Sequence, residues 1–249
     1  PMERIALVTG AARGLGRAIA LALAQARHPL ALVDLNGEGL REVANECRQS
    51  GVRVETLTAD VSDASQVDAA VADAIARLGH LDILVNNAGL NVDIERGPFE
   101  SISPEAWDRA MAVNVKSAFL FARALSPSLR QQRWGRIINM SSVGAYLGLE
   151  GYLHYITSKA ALIGMTRALS RELGRDGITV NAVAPGMVQT EVPNPGQTPE
   201  RVARIIARQA IPTALTVSDV AATVAFLASD EARLITGQTL LVDGGMAHT

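Results

Sequence analysis

Short aliphatic runs alternate with longer amphipathic stretches along nearly the whole of this chain. That alternation restricts what the chain can fold into more than any single motif does. The runs are RIALVTG (4–10), PLALVDL (29–35), VRVETLTADV (52–61), LDILVNNAG (81–89), GRIINMSS (135–142), GITVNAVAPG (177–186) and GQTLLVDGG (237–245). Between them, residues 14–26, 37–51 and 64–79 repeat their apolar side chains at helical spacing. Residues 104–132 read as helices with a break near Asn114, and another helix follows the fifth run. Parallel strands buried on both faces are apolar throughout, and strand–helix–strand units close right-handed with their strands parallel. The expected fold class is α/β: one domain over residues 1–249, a doubly wound parallel sheet of about seven strands flanked by helices. The stretch EVPNPGQTPERVARIIARQAIPTALT (191–216) departs from the pattern. Its prolines and glycine suit a flap bearing one short helix, placed over a site.

Composition narrows the function. The formal net charge is −2, so no basic footprint for nucleic acid is present. The apolar runs are short and interrupted, so no membrane partner is expected. The strand pattern begins almost at once, so no leader peptide is expected, and Pro1 ahead of Met2 reads as a cloning remnant. The single cysteine, Cys47, excludes an internal disulfide or a cysteine-rich metal site; it is expected to be a partly buried, inert thiol. No clustering of histidines with carboxylates suggests a metal. A cytoplasmic location fits these features.

The first run passes into TGAARGLG, with glycines at 10, 14 and 16 opening the first helix. Glycine there lets backbone N–H groups approach a pyrophosphate at the positive helix end. The second run ends in Asp34, about 20 residues on, where a dinucleotide fold places an acid against the ribose hydroxyls. The two features in register point to a Rossmann-type dinucleotide site. A carboxylate at Asp34 accepts from a ribose diol and repels a 2′-phosphate, which selects NAD. Arg13 pulls the other way if it reaches the adenosine side; a solvated loop arginine is the alternative. Asp60 and Val61, closing the third run, are placed to frame the adenine.

Two of the three tyrosines lie in GYLHYITSKAAL (151–162). Tyr155 and Lys159 are four apart and share a helix face. A neighbouring ammonium favours phenolate, and such a tyrosine can take a proton from an alcohol or return one to a carbonyl. Tyr152 has isoleucine four positions on and reads as a packing or pocket-wall residue. His154 lies off the Tyr155 face and reads as a packing or interface histidine.

With these residues the chain resembles the short-chain dehydrogenase/reductase family over almost its full length. The glycine motif of that family matches residues 9–16, including Gly10, Arg13, Gly14, Leu15 and Gly16. Its NNAG segment matches Asn86, Asn87, Ala88 and Gly89; its helix asparagine matches Asn114 in MAVNVKSAF. The serine thirteen residues before Tyr155 is Ser142, not Ser141. PGMVQT (Pro185, Gly186, Met187, Val188, Gln189, Thr190) matches the segment that holds the nicotinamide carboxamide, and the ending 235–245 is also similar. The resemblance implies a catalytic set of Asn114, Ser142, Tyr155 and Lys159. Ser142 would orient the substrate oxygen, Tyr155 exchange its proton, Lys159 lower the tyrosine pKa and bond the nicotinamide ribose, and Asn114 support a water linking Lys159 to solvent. Hydride would pass between NAD(H) and the substrate carbon.

The substrate is then a small alcohol or carbonyl compound. Leu90, Asn91, Val143 to Ala145, Leu149, Tyr152, Met187 and Val188 are the expected walls, mostly apolar, with Asn91 and Glu150 as polar contacts. The resemblance extends to dehydrogenases of aryl, cyclic and sugar or polyol alcohols without separating them. An NADPH-dependent 3-oxoacyl carrier-protein reductase is an alternative, with Arg130, Arg133 and Arg171 as a docking patch or as ordinary solvated helix ends. A catalytically silent, nucleotide-binding scaffold is a second alternative. The resemblance also implies a homotetramer, with the helices at 104–132 and 152–174 pairing across two-fold axes.

Overall fold

The structure, a computed structural model, describes residues 3–91, 94–194 and 196–248. Its elements in chain order are β1 (Ala6–Thr9), α1 (Gly14–Gln25), β2 (Leu30–Asp34), α2 (Gly37–Arg48), β3 (Val54–Thr58), α3 (Ala64–Leu78) and β4 (Ile83–Asn86). Next come α4 (Pro104–Met111), α5 (Ser117–Gln132), β5 (Gly135–Met140), α6 (Gly144–Leu147), α7 (Leu153–Leu173) and β6 (Ile178–Pro185). The chain ends with β7 (Val188–Gln189), α8 (Pro199–Ile206), β8 (Leu215–Thr216), α9 (Val217–Ala228) and β9 (Thr239–Val242).

Seven strands form one parallel sheet in the order β3-β2-β1-β4-β5-β6-β9, as expected from the aliphatic runs. Successive residues of each inner strand feed opposite cores. Ala6 and Val8 of β1 join Leu30 and Leu32 of β2 under α1, α2 and α9. Leu7 joins Ala31 and Val33 under α3, α5 and the end of α7. Winding starts outward from β1 through β2 to β3, then returns to place β4 on the other side of β1. The helices on either side of that reversal diverge and leave a crevice at the carboxyl ends of β1 and β4.

Local chemistry sets the helix ends. Asn36, Asp63, Ser103 and Thr198 each accept a hydrogen bond from a backbone N–H in the first turn of α2, α3, α4 and α8. The N-cap of α1 is Arg13, whose side chain caps nothing, so that helix start is left for another acceptor. Cys47 is fully buried in the α2 face rather than partly, and burial pushes its thiol up to about 11, so it is inert.

Three points differ from the sequence reading. The helical stretch 104–132 does not break near Asn114: a π-helical turn, Ala112–Lys116, joins α4 to α5 and turns the buried Asn114 inward. Residues 217–228 form α9, to which the sequence pattern assigned no element. Its Asp219 accepts the Thr216 N–H at 2.8 Å, and its buried Val220, Val224 and Leu227 pack beside α1. The stretch 191–216, read from the sequence as a flap, carries α8 and is tied to the body by the short parallel pair β7–β8. No helix among the described residues is long and apolar enough to cross a membrane.

Two glycines give opposite expectations. A Cβ at Gly16 would lie 1.9 Å from the Gly10 carbonyl oxygen, so Gly16→Ala must displace backbone and should cost at least about 2 kcal/mol. Gly164, exposed in the interior of α7, has nothing within 4 Å of such a Cβ. Gly164→Ala should gain about 0.5–1 kcal/mol from helix propensity. Thermal unfolding of both variants checks this; a loss at Gly164 would mean that another copy covers that face.

Candidate active site

The crevice beyond β1 and β4 opens into a cavity of about 700 Å³. It runs from Asp34 and Val61 at one end to Ser142, Tyr155 and the flap at the other. Its floor is the turn after β1. Thr9 Oγ1 accepts the backbone N–H groups of Asn87 and Ala88, each at 3.0 Å. Asn87 Nδ2 in return donates to the Thr9 and Gly10 carbonyls, both at 3.0 Å. Gly10 has φ +64°, and a Cβ there would sit 2.8 Å from Ala88 Cα. Only glycine allows the two strand ends to lock this closely.

An anion already rests on the start of α1. The Gly14 N–H donates to Glu191 Oε1 at 2.8 Å, across 177 residues. Burial raises the Glu191 pKa, but this bond, its own backbone N–H and the charges of Arg17 and Arg13 outweigh it and hold the carboxyl below its usual range. The glycine turn thus accepts a negative group in this structure, which is the property a pyrophosphate requires. At the other side of the turn, Asp34 Oδ2 accepts from Ala12 N at 3.1 Å and Oδ1 from Asn36 N at 3.0 Å. Both bonds fix the carboxylate at the cavity wall, next to Arg13. Asp60 does not share that wall. Its carboxylate turns back to accept the Ser62 N–H and hydroxyl at 2.8 and 2.7 Å, leaving Ala59 and Val61 to line the cavity.

At the opposite end β5 and α7 meet. Ser141 is buried and donates to the Lys159 carbonyl at 2.8 Å. Ser142 faces the cavity beside Tyr155 and accepts the Gly144 N–H at 3.1 Å. Tyr155 and Lys159 share the buried face of α7, as their spacing requires. The electrostatics differ from the expectation that the ammonium lowers the phenol pKa. Burial raises the Tyr155 pKa; the neighbouring Ser142 hydroxyl opposes this and Tyr152 adds to it. Lys159 Nζ donates to the Met140 carbonyl at 2.8 Å and stands 5.8 Å from the Tyr155 ring centroid. Burial lowers its own pKa to about 8, so its charge is itself penalised there.

Asn114 stands behind this group rather than on the cavity wall. Its Oδ1 accepts Leu90 N at 2.7 Å, and its Nδ2 donates to Leu90 O and to Ser158 Oγ at 3.2 and 2.9 Å. Both amide hydrogens are therefore engaged in tying the loop after β4 to α7. Tyr152, the residue before α7, walls the cavity with its ring edge-on to Tyr155 at 5.9 Å, as expected. His154 is buried off the cavity, and its Nδ1 has no partner among the described residues.

Apart from Asp60 and Asn114, every site residue named from the sequence lines the cavity; of the suggested walls, Ala145 and Glu150 do not. The sequence reading missed Arg96, Arg109 and Arg201, which also line the cavity. It also missed Glu191 on the glycine turn. Nothing local marks these residues; only their convergence does.

The Lys159 pKa has a consequence for stability. The folded value, about 8, lies below the ordinary lysine value of 10.5 expected for the unfolded chain. Between these values the unfolded chain binds more protons, so stability should rise with pH, and the full penalty applies below pH 8. In Lys159→Met this rise, on the order of 2–3 kcal/mol, should vanish. Losing the bond to Met140 shifts that variant by a constant amount. The readout is therefore the difference in slope of unfolding free energy from pH 7 to pH 10, by urea titration; equal slopes would refute it.

Comparison with known proteins agrees with this geometry. A family model described as Enoyl-(Acyl carrier protein) reductase matches residues 10–247. The chain is 39% identical to a 3-oxoacyl-[acyl-carrier-protein] reductase of Staphylococcus aureus over 98% of both chains. It is 39% identical to a (2S)-[(R)-hydroxy(phenyl)methyl]succinyl-CoA dehydrogenase subunit of Thauera aromatica, over 98% of this chain and 96% of that one. The crystal structure of levodione reductase superposes with a TM-score of 0.91 at 33% identity, covering 97% of this chain and 96% of that chain. A parallel sheet reversed at β1 and β4, a glycine turn at the reversal and a Ser–Tyr–Lys group beside it accompany these matches: the chain belongs to the short-chain dehydrogenase/reductase family, whose members are oxidoreductases that bind a nicotinamide cofactor.

Proposed function

We propose that this protein transfers hydride between NAD(H) and the carbon of a small secondary alcohol or ketone. The observation that carries the reading is one continuous cavity with Asp34 fixed at one end and Ser142, Tyr155 and Lys159 gathered at the other. The glycine turn suits the cofactor phosphates, as its bond to the Glu191 carboxylate illustrates. Asp34 would accept from the adenosine ribose, Val61 would flank the adenine, and Pro185, Gly186, Val188 and Thr190 lie where the nicotinamide end would rest. The bound cofactor supplies or takes up the hydride.

The chain's own residues manage the oxygen and its proton. Ser142 donates to the substrate oxygen and holds it against Tyr155. Tyr155, kept protonated by burial, gives its proton as a carbonyl becomes an alcohol and takes it back in the reverse direction. Lys159 stabilises the phenolate that forms, and Asn114 fixes the loop and helix on which the group stands. Val143, Leu149, Tyr152 and Met187 exclude water from it. Exposed Phe119 and Leu153 on α5 and α7 support assembly into a homotetramer.

A second reading, reduction of a 3-oxoacyl carrier-protein thioester with NADPH, is favoured by the name of the Staphylococcus aureus relative. The basic patch suggested for docking weighs against it. Arg130 and Arg133 lie 3.2 and 3.8 Å from the one carboxylate of Asp176, which offsets one of their two charges.

Two measurements test the proposal. Tyr155→Phe should lower kcat by about 10²–10⁴-fold while retaining cofactor affinity, whereas Tyr152→Phe should change kcat little. Near-normal turnover in Tyr155→Phe would falsify the acid/base assignment. For the cofactor, a 2′-phosphate about 4 Å from Asp34 is repelled by roughly 4 kcal/mol before screening. kcat/KM should then favour NAD(H) over NADP(H) by at least about a hundredfold. Asp34→Ala should narrow that ratio, and equal use of both cofactors by the unmutated enzyme would transfer support to the second reading.

A further inference from the structure

The substrate end of the cavity carries a charge pattern that hydride transfer to a neutral alcohol does not call for. Three arginines reach it from separate elements: Arg96 from the loop after β4, Arg109 from α4 and Arg201 from α8 of the flap. Asp34, at the far end, is the only acidic side chain among the described residues lining the cavity. The side chains of Arg109 and Arg201 have no ion pair or hydrogen bond among the described residues.

Arg96 is held in position. Its guanidinium lies over the Tyr152 ring, 4.5 Å from the centroid, and Nη2 donates to Asn194 Oδ1 of the flap at 3.2 Å. The Gly196 backbone closes on it from another side, where a Cβ would stand 2.6 Å from the guanidinium carbon. Because Tyr152 packs edge-on to Tyr155, a fixed cation stands one ring away from the phenol that handles the reacting oxygen. Most of its N–H donors remain open to another partner.

Arg96 and Arg109 are exposed and Arg201 half-buried, so water screens their mutual repulsion, and an anion between them gains charge-assisted hydrogen bonds. A guanidinium fork matches a carboxylate in shape as well as charge. We propose that the substrate carries a carboxylate, joined through a short apolar chain to the carbonyl or hydroxyl that meets Ser142 and Tyr155. It is an oxo acid or hydroxy acid rather than a neutral alcohol. Arg96 anchors the carboxylate, and Arg201 brings the flap down on it, so closure depends on the charge of the substrate. This deepens the oxidoreductase reading above and rests on it.

The test compares 3-oxobutanoate and 4-oxopentanoate with their methyl esters, which keep the carbonyl and lose the charge. Reduction by the unmutated enzyme should favour the acid over the ester in kcat/KM by at least about tenfold. Arg96→Gln and Arg201→Gln should bring that ratio towards one; as a ratio, it is insensitive to a general loss of activity. Equal use of acid and ester by the unmutated enzyme, or a ratio unchanged in both variants, overturns the carboxylate site while leaving the oxidoreductase reading intact. If neither compound turns over, calorimetric titration of the cofactor-loaded enzyme with 4-oxopentanoate decides. Binding lost in Arg96→Gln keeps the anion site and rules out these two acids as substrates; no binding to the unmutated enzyme removes the site. A preference for acetoacetyl-coenzyme A over acetoacetyl-N-acetylcysteamine that disappears in the arginine variants would assign these cations to a carrier phosphate and overturn the carboxylate.

Discussion

The bonds between Thr9–Gly10 and Asn87–Ala88 hold together the two strands at which the sheet reverses direction. A Rossmann-type sheet diverges there, and without a crosslink the crevice would have no defined width. Four hydrogen bonds through one hydroxyl and one carboxamide fix it. A glycine that lets backbones approach to contact distance completes the joint. The start of α1 and the loop after β4 inherit their positions from this joint. Through Leu90 and Asn114, so does the face of α7 that carries Tyr155.

Burial then determines the chemistry of that face. In an exposed helix, a lysine four residues from a tyrosine would pull the phenol pKa down. Here both side chains are removed from water, and desolvation acts on each in the direction of its neutral form. The result is a protonated phenol beside an ammonium that is close to losing its proton. That pairing suits donation to a carbonyl. Groups added next to Lys159 that solvate its charge would restore the coupling inferred from spacing alone.

The flap connects the two ends of the cavity. Glu191 at its root sits on the glycine turn, and Arg96 grips Asn194 further along. The same segment thus touches the place proposed for the cofactor phosphates and the place proposed for the substrate anion. An anion arriving at the turn competes with Glu191, and one arriving beside Arg96 supplies a charge that the flap's own Arg201 can meet. Binding at either end therefore bears on where the segment lies.

Much of this protein was written in local sequence. Aliphatic runs at strand length marked the seven strands of the main sheet, most plainly the inner ones, because a parallel strand buried on both faces must be apolar throughout. The TGAARGLG turn, Asp34 and the Tyr155–Lys159 spacing were visible for the same reason: each is a pattern within one strand–turn–helix unit. The failures were of two kinds. Residues 217–228 have mean apolarity without a clear stripe, and their helix depends on the Thr216–Asp219 start and on packing beside α1. Asp60 was lost to a local turn onto Ser62, whereas Asn114, Glu191 and the three arginines depend on partners that cannot be read from neighbours in the chain. The Glu191 bond spans 177 residues and the Arg96 bond 98. Sequence periodicity sets which face of an element is buried. Which distant side chain meets it, and in what dielectric, is fixed only when the sheet order brings the elements together, and that decided the charge of the site.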